Sequence, residues 1–425
     1  MTASETHSAG ETNRAIEATF RLERARLIAG LARMVRDIDR AEELAQDALV
    51  IALSEWPRTG VPANPGAWLM TTAKRRAIDA IRRDGMRIRK HEEIARELDG
   101  AAEAIETSMN EDLGDELLGL IFTACHPILS ADARAALALR VIGGLTTEEI
   151  ARAFLSNEPA IAQRIVRAKK TIGNAGLAFE APRGAERAAR LSSVLEVVYL
   201  IFNEGYVATA GDDLVRPSLC QEAQRLGRML AGMMPQDAEV FGLLALMEIQ
   251  ASRLSARVGP DGALVPLSEQ NRTRWDQLLI RRGLDALARA EALGGATADG
   301  CGPFALQAAL AACHARARRW ADTDWPRIAA LYDRLRVVTP SPVVDLNRAI
   351  AHSMAFGPEA GLALVDEIAD AAALRDYAPL PAARGDFLFR AGRLAEARCE
   401  FEAAARLTRN AREAAFLLAR ADACG

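Results

Sequence analysis

Within residues 67–83, AWLMTTAKRRAIDAIRR, the cations Lys74, Arg75, Arg76, Arg82 and Arg83 are opposed by one acid, Asp79. Guanidinium and ammonium groups at this density form either an ordinary solvated helix face or a surface that neutralises phosphates, Arg through a planar fork and Lys as a point charge. The charge continues: from Lys74 to Lys90 eight basic residues, including Arg87 and Arg89, face only Asp79 and Asp84. A second basic set lies in NEPAIAQRIVRAKKTI, where Ala160, Gln163, Arg164, Arg167 and Lys170 project away from the apolar stripe. A third set is acidic: Asp39, Glu42, Glu43, Gln46 and Asp47 crowd the start of DRAEELAQDALVIALSEW.

Helices must position all three sets. Leu69, Ala73, Ala77 and Ile81 recur every four residues and mark a buried face. Arg75 and Arg82 are seven apart, as are Arg76 and Arg83, so two adjacent positive rows run along the exposed side. Over 39–56 the stripe of Leu44, Ala48 and Ile51 faces a core and the acidic residues face away. A further helix covers 14–36. PRTGVPANPG (57–66) reads as a loop, because its Pro and Gly residues cannot continue a helix.

Residues 115–173 read as a helix-turn-helix. SADARAALALRVIGG is a helix stopped by Gly143 and Gly144. Thr146 and Glu149 form a capping box that starts TTEEIARAF. After a turn at Leu155 and Ser156, a longer helix begins at a cap supplied by Asn157 or Ser156, with Pro159 tolerated in its first turn. Ile161, Ile165, Ala168 and Ile172 form its core stripe. A short supporting helix followed by a helix carrying small, amide and guanidinium side chains is what a major-groove reader needs.

The sign of the charge reverses between these units. From Glu92 to Glu116 ten acids are opposed only by Arg96, which reads as a solvated linker over 92–114. The whole chain carries a formal charge of −4 over 425 residues, enough for about three domains. Strand signals are scarce, and an all-α fold is expected. The six cysteines lack CxxC spacing and read as reduced, mostly buried thiols of a cytosolic protein. MTASETHSAGETNR has no apolar core of a signal peptide, and no apolar run reaches membrane-spanning length. Cys125-His126 and Cys313-His314 lack zinc spacing, and P-loop, Rossmann and G-x-S-x-G signatures are missing, so no catalytic residue, metal or cofactor is expected. The carboxylates of FNEGY and WDQLL read as polar anchors between helices.

The order DRAEELAQDALVIAL, loop, GAWLMTTAKRRAIDAIRR, linker, LTTEEIARAFLSNEPAIAQRIVRAKKTI resembles the extracytoplasmic-function (ECF) group of bacterial RNA polymerase sigma factors. YLIFNEGY, QEAQRLGRML, GLLALMEIQASRLSAR, QAALAACHARA and SPVVDLNRAIA resemble the C-terminal extension of one ECF subgroup, which carries tetratricopeptide-like helical pairs. The resemblance implies sigma domain 2 over 14–91, sigma domain 4 over 115–178 and a helical regulatory extension over 185–425. It further implies that Asp39, Glu42, Glu43, Gln46 and Asp47 dock on the β′ coiled coil of core polymerase. Domain 4 would meet the β flap. Asn64, Trp68, Lys74, Arg75, Arg76, Arg82 and Arg83 would hold the minus-ten strand, the loop from Pro57 to Gly66 capturing a flipped base. Asn157, Ala160, Gln163, Arg164, Arg167, Lys169 and Lys170 would meet the minus-thirty-five element, with Gln163 or Arg164 as base contact and Lys169 or Lys170 as phosphate contact. Holding a melted strand favours a positive groove with an aromatic platform. Trp56 and Trp68 bracket the loop, and Trp56 fits an ordinary core aromatic better.

At the end of the chain AFGPEAGLALVDEI and RAGRLAEARCEFEAA align at a spacing of 35 residues, Gly357 over Gly392, close to a tetratricopeptide period. Such pairs offer surfaces for a protein or peptide partner. Three function classes compete: a sigma factor, a helix-turn-helix regulator with a helical sensor domain, and a tetratricopeptide scaffold. Only the first needs both the acidic helix and the first basic helix.

Overall fold

A computed structural model describes all residues except 1–2, 89–112, 155, 207–215, 260–264, 295–299, 370, 372–373 and 409–410. The described residues form helices joined by turns, with no extended strand. They divide into two units, Met1–Met233 and Met234–Gly425. The acidic linker and Lys90 fall outside the described residues, apart from 113 and 114.

The first unit opens with three packed helices, α1 (Ala3–Val35), α2 (Ile38–Thr59) and α3 (Pro65–Ile88). α1 starts eleven residues before the expected position 14. α2 begins at Asp37, whose carboxylate accepts from the Arg40 amide at 2.8 Å. It runs through Pro57, where the sequence reads as loop. Proline there removes one donor, yet Trp56 is 1% exposed and anchors the turn, and Gly60 closes it by donating to the Trp56 carbonyl at φ +86°. The Arg58 and Thr59 side chains satisfy the Ser54 and Glu55 carbonyls.

The buried stripe of α3 is Leu69, Ala73, Ala77 and then Ala80, rather than Ile81. A strict four-residue step drifts ahead of the 3.6-residue turn, so after two steps the core is met by i+3. Ile51 of α2 is likewise half-buried and Ala52 takes the core position.

Next come α4 (Leu113–Ala124), α5 (Ala131–Val141), α6 (Thr147–Ala153) and α7 (Glu158–Asn174). α6 and α7 are the expected helix-turn-helix. Thr146 and Glu149 make both bonds of the capping box, and Gly144 adopts φ +74° between α5 and α6. Asn157 caps α7, accepting from the Ala160 amide at 2.8 Å. Ile161, Ile165, Ala168 and Ile172 are all buried.

α8 (Gly184–Tyr206) and α9 (Pro217–Met233), which lie within the extension expected over 185–425, pack in this unit. The reason lies in long-range polar bonds. Ser193 Oγ donates to the Cys125 carbonyl at 2.6 Å, Arg190 to the Phe122 carbonyl at 2.9 Å and Arg225 to the Ile142 carbonyl at 3.0 Å. Arg216 pairs with Glu204 at 3.0 Å and donates to the Ala153 carbonyl at the end of α6. Each arginine serves a carbonyl that its own helix or turn leaves unbonded.

The second unit contains α10 (Ala238–Ala251), the short α11 (Leu254–Arg257), α12 (Gln277–Gly294), α13 (Pro303–Arg316), α14 (Trp325–Val338), α15 (Pro342–Phe356), α16 (Pro358–Ile368), α17 (Pro379–Arg390), α18 (Leu394–Leu407) and α19 (Ala411–Asp422). The aligned glycines end equivalent first helices: Gly357 (φ +100°) turns α15 into α16 and Gly392 (φ +79°) turns α17 into α18. Small residues let helices approach closely. The Phe401 ring lies 2.9 Å from where a Cβ on Gly385 would stand, and Ala397 and Ala404 are fully buried beside it. Glu204 of FNEGY pairs with Arg216, whereas Asp276 of WDQLL is exposed and caps its own helix α12 through the Leu278 and Leu279 amides instead of joining two helices.

Candidate nucleic-acid and polymerase interface

Asn64 starts α3. Its side chain accepts from the Ala67 amide at 3.1 Å and its carbonyl from the Trp68 amide at 3.1 Å, with Pro65 in the first turn. This cap orients Trp68, half-buried, edge-on to Trp56 with ring centroids 5.3 Å apart and planes at 72°. Trp56 is core, as expected, and Trp68 presents the more accessible ring.

Beyond Trp68, Arg75, Arg76, Arg82 and Arg83 are exposed and Lys74 is half-buried. Arg83 folds back onto the Asp79 carbonyl at 3.1 Å, and Arg76 lies 4.0 Å from Asp47 of α2. A groove of about 310 Å³ runs between α2 and α3, lined by Arg40, Glu43, Gln46, Asp47, Arg76 and Arg83 among others. The acidic and basic sets thus meet along one groove instead of occupying unrelated faces.

On α2, Asp39, Glu43, Gln46 and Asp47 are exposed, and Glu42 is not. Its placement with the outward acids is corrected by its 7% exposure. Glu42 instead meets three cations. Arg24 of α1 binds Glu42 Oε1, Arg140 of α5 lies 3.5 Å from the same oxygen, and Lys169 of α7 binds Oε2. Lys169 also reaches Asp39 at 2.7 Å. A carboxylate out of water is tolerable only with such partners. Burial lowers the Arg24 pKa, which Glu42 opposes.

On α7, Asn157, Gln163, Arg167 and Lys170 are exposed, while Ala160 and Arg164 are partly so. Arg164 lies 3.9 Å from Asp132. Of the two candidate phosphate contacts, Lys169 is turned toward Asp39 and Glu42, its side chain only 10% exposed. The sequence does carry a signal for this cluster that helical spacing alone passes over. Arg24 stands between Phe20 and Ile28, and Glu42 follows Ile38, so each charge interrupts an apolar stripe at i+4 spacing. The staples of α8 and α9 have no local signal, since their partners are 63 to 83 residues away.

Among the described residues no group of His, Cys, Asp and Glu could hold a metal ion, and no helix is long and apolar enough to cross a membrane. Of the cysteines, Cys399 is exposed, Cys301 intermediate and the other four buried, none in a disulfide. Burial pushes the Cys125 thiol up to about 12, so it stays protonated.

An acidic-and-basic three-helix unit followed by a helix-turn-helix defines a protein that couples DNA recognition to a second macromolecule. Comparison with known proteins is specific about which. Residues 20–87 match sigma-70 region 2 and residues 120–172 match sigma-70 region 4. Residues 190–291 match a family of unknown function, DUF6596. An uncharacterised protein of Rhizobium meliloti (strain 1021) is 41% identical over 396 residues, covering 93% of this chain and 92% of that protein. No solved structure matches. The chain belongs to the ECF-type sigma-70 factors with a C-terminal extension. It is an RNA polymerase sigma factor, and its sigma-70 domains imply binding to core polymerase and promoter DNA.

Proposed function

We propose that this sigma factor distributes its work as follows. The exposed arginine rows of α3 hold the minus-ten strand, with Trp68 as a stacking platform and the 60–64 turn receiving an unstacked base. α7 enters the minus-thirty-five major groove, Gln163 or Arg164 reading a base edge and Arg167 and Lys170 positioning the helix on phosphates. Asp39, Glu43, Gln46 and Asp47 dock on the β′ coiled coil, and domain 4 on the β flap. The extension governs activity in cis from the cytoplasm, offers its helical hairpins to a protein or peptide, and makes a membrane anti-sigma protein unnecessary. The observation that carries the DNA assignment is the pair of exposed arginine rows on α3 beside a capped helix-turn-helix.

The assignment is tested by replacing each surface separately and assaying one promoter mutated at each element. Arg164→Ala should cost about 1–3 kcal/mol and relax preference at one minus-thirty-five position. Arg75→Ala with Arg76→Ala and Arg82→Ala should impair strand opening without altering that preference. If Arg164→Ala weakens every promoter equally, α7 positions the protein and does not read sequence.

A further inference from the structure

The ion cluster around Glu42 joins elements that the sigma reading assigns to different targets. Arg24 and Glu42 belong to the α1–α3 unit, and Arg140 and Lys169 to the helix-turn-helix unit. Arg24 also donates to the Arg140 carbonyl at 2.7 Å and lies under the Gly143–Gly144 turn, its Nη1 3.8 Å from where a Cβ on Gly144 would stand. Asp39, otherwise exposed, is held at 2.7 Å by Lys169. The side chains of Arg24, Glu42 and Lys169 are 12%, 8% and 10% exposed, so the cluster is largely removed from solvent.

A second carboxylate is buried between the same two units, without a hydrogen-bond partner for its Oε2. Glu116 of α4 is 7% exposed and lies against α1, its Oε2 2.9 Å from where a Cβ on Gly30 would stand. Burial raises its pKa, and Lys74 and Arg33 oppose the rise. Lys169, from the second basic helix, therefore faces carboxylates of the opposite unit. DNA phosphate and polymerase would compete for the same charges.

We infer that this is an autoinhibited state, in which a charge lock of Arg24, Glu42, Arg140 and Lys169 folds the helix-turn-helix onto the acidic start of α2 and must open before polymerase and promoter bind. The inference rests on the proposed reading of α2 as the polymerase-docking helix. Opening exchanges the lock's pairs for equivalent ones: Asp39 gains a polymerase cation and Lys169 a phosphate. A ligand that supplies the replacing charge therefore shifts the equilibrium toward the open state. Glu42 keeps Arg24 within its own unit when Lys169 and Arg140 leave, so the open state does not strand it without a cation.

The test uses the full chain with Cys399 and Cys301 replaced by Ser and fluorophores on Ser54→Cys and Asn174→Cys, both exposed positions. Energy transfer reports closure, and association with purified core polymerase is followed on the same samples. Arg140→Gln with Lys169→Gln should lower transfer and speed core association about five-fold or more, the lower end of a typical coupling between two binding events. Salt titration of the unsubstituted chain is a second measurement that needs no variant, and transfer should fall as salt screens the exposed Asp39 pair. Transfer that stays constant across both series overturns the lock. Transfer that falls without faster core association overturns its inhibitory role. Absence of any promoter-dependent transcript would instead count against the polymerase-docking reading, because energy transfer does not depend on it.

Discussion

Lys169 and Lys170 show how helical position decides what a cation meets. Adjacent residues of a helix lie about 100° apart, so Lys169 flanks the buried stripe of α7 and meets Asp39 and Glu42, while Lys170 stays exposed. In a salt series, Lys170→Ala should therefore lower the steepness of promoter binding by close to one counterion, about 0.9 per duplex phosphate contact. Filter-binding slopes measure this, and an unchanged slope would remove Lys170 from the phosphate contacts. His314 makes a second residue-scale case. Its ring stacks on Trp320 and meets Trp325 edge-on, its Nδ1 is buried without a partner, and burial, with Arg253 and Arg272 nearby, pulls its pKa down to about 4. A histidine with a depressed folded pKa stabilises above its ordinary value, near 6.5, and that contribution is lost as pH falls toward 4. Between pH 6.5 and pH 5 the loss should be about 2 kcal/mol, read by urea denaturation of the second unit's signal and absent in His314→Gln. An equal pH dependence in both proteins would contradict the assignment.

Among the elements, the best-read ones were those whose signals are local. Thr146 with Glu149, Asn157, the glycine pair at 143–144 and the stripe Ile161–Ile172 fix α6 and α7 within a few residues of chain, and each is found where the sequence puts it. Thr146→Ala should cost about 1 kcal/mol of stability by removing the cap, measured as a lowered denaturation midpoint. Where the signal is non-local, periodicity does not show the packing. Pro57 stays helical because a buried tryptophan holds the turn, and α8–α9 join the helix-turn-helix through Arg190, Ser193, Arg216 and Arg225, whose partners no periodicity reveals. The practical consequence is sharp. A chain cut after Ala181 removes all four staples and should leave α4–α7 partly unfolded by circular dichroism and protease digestion. A chain cut after Met233 keeps the first unit entire and should remain folded. Only the longer fragment separates regulation by the second unit from damage to the first.

At the scale of the whole molecule, the acidic α2, the basic α3 and the helix-turn-helix make sense together only if one protein must grip polymerase and promoter at once. Asp47→Lys with Glu43→Lys, both on exposed positions of the α2–α3 groove, should abolish co-purification with core polymerase while the helical content is kept. The resemblance drawn from the sequence already covered nearly the whole chain, and the family matches bear out its sigma domains. What the sequence leaves out is the way the two sigma units are clasped, because four charges from α1, α2, α5 and α7 meet only in the folded chain. The most direct measurement of the account is run-off transcription with purified core polymerase on a genomic promoter library. The full chain, added to core enzyme, should yield discrete transcripts from promoters sharing two spaced elements, and those transcripts should vanish with the α2 charge reversal. Transcripts that match core polymerase alone, in number and in start site, would contradict it.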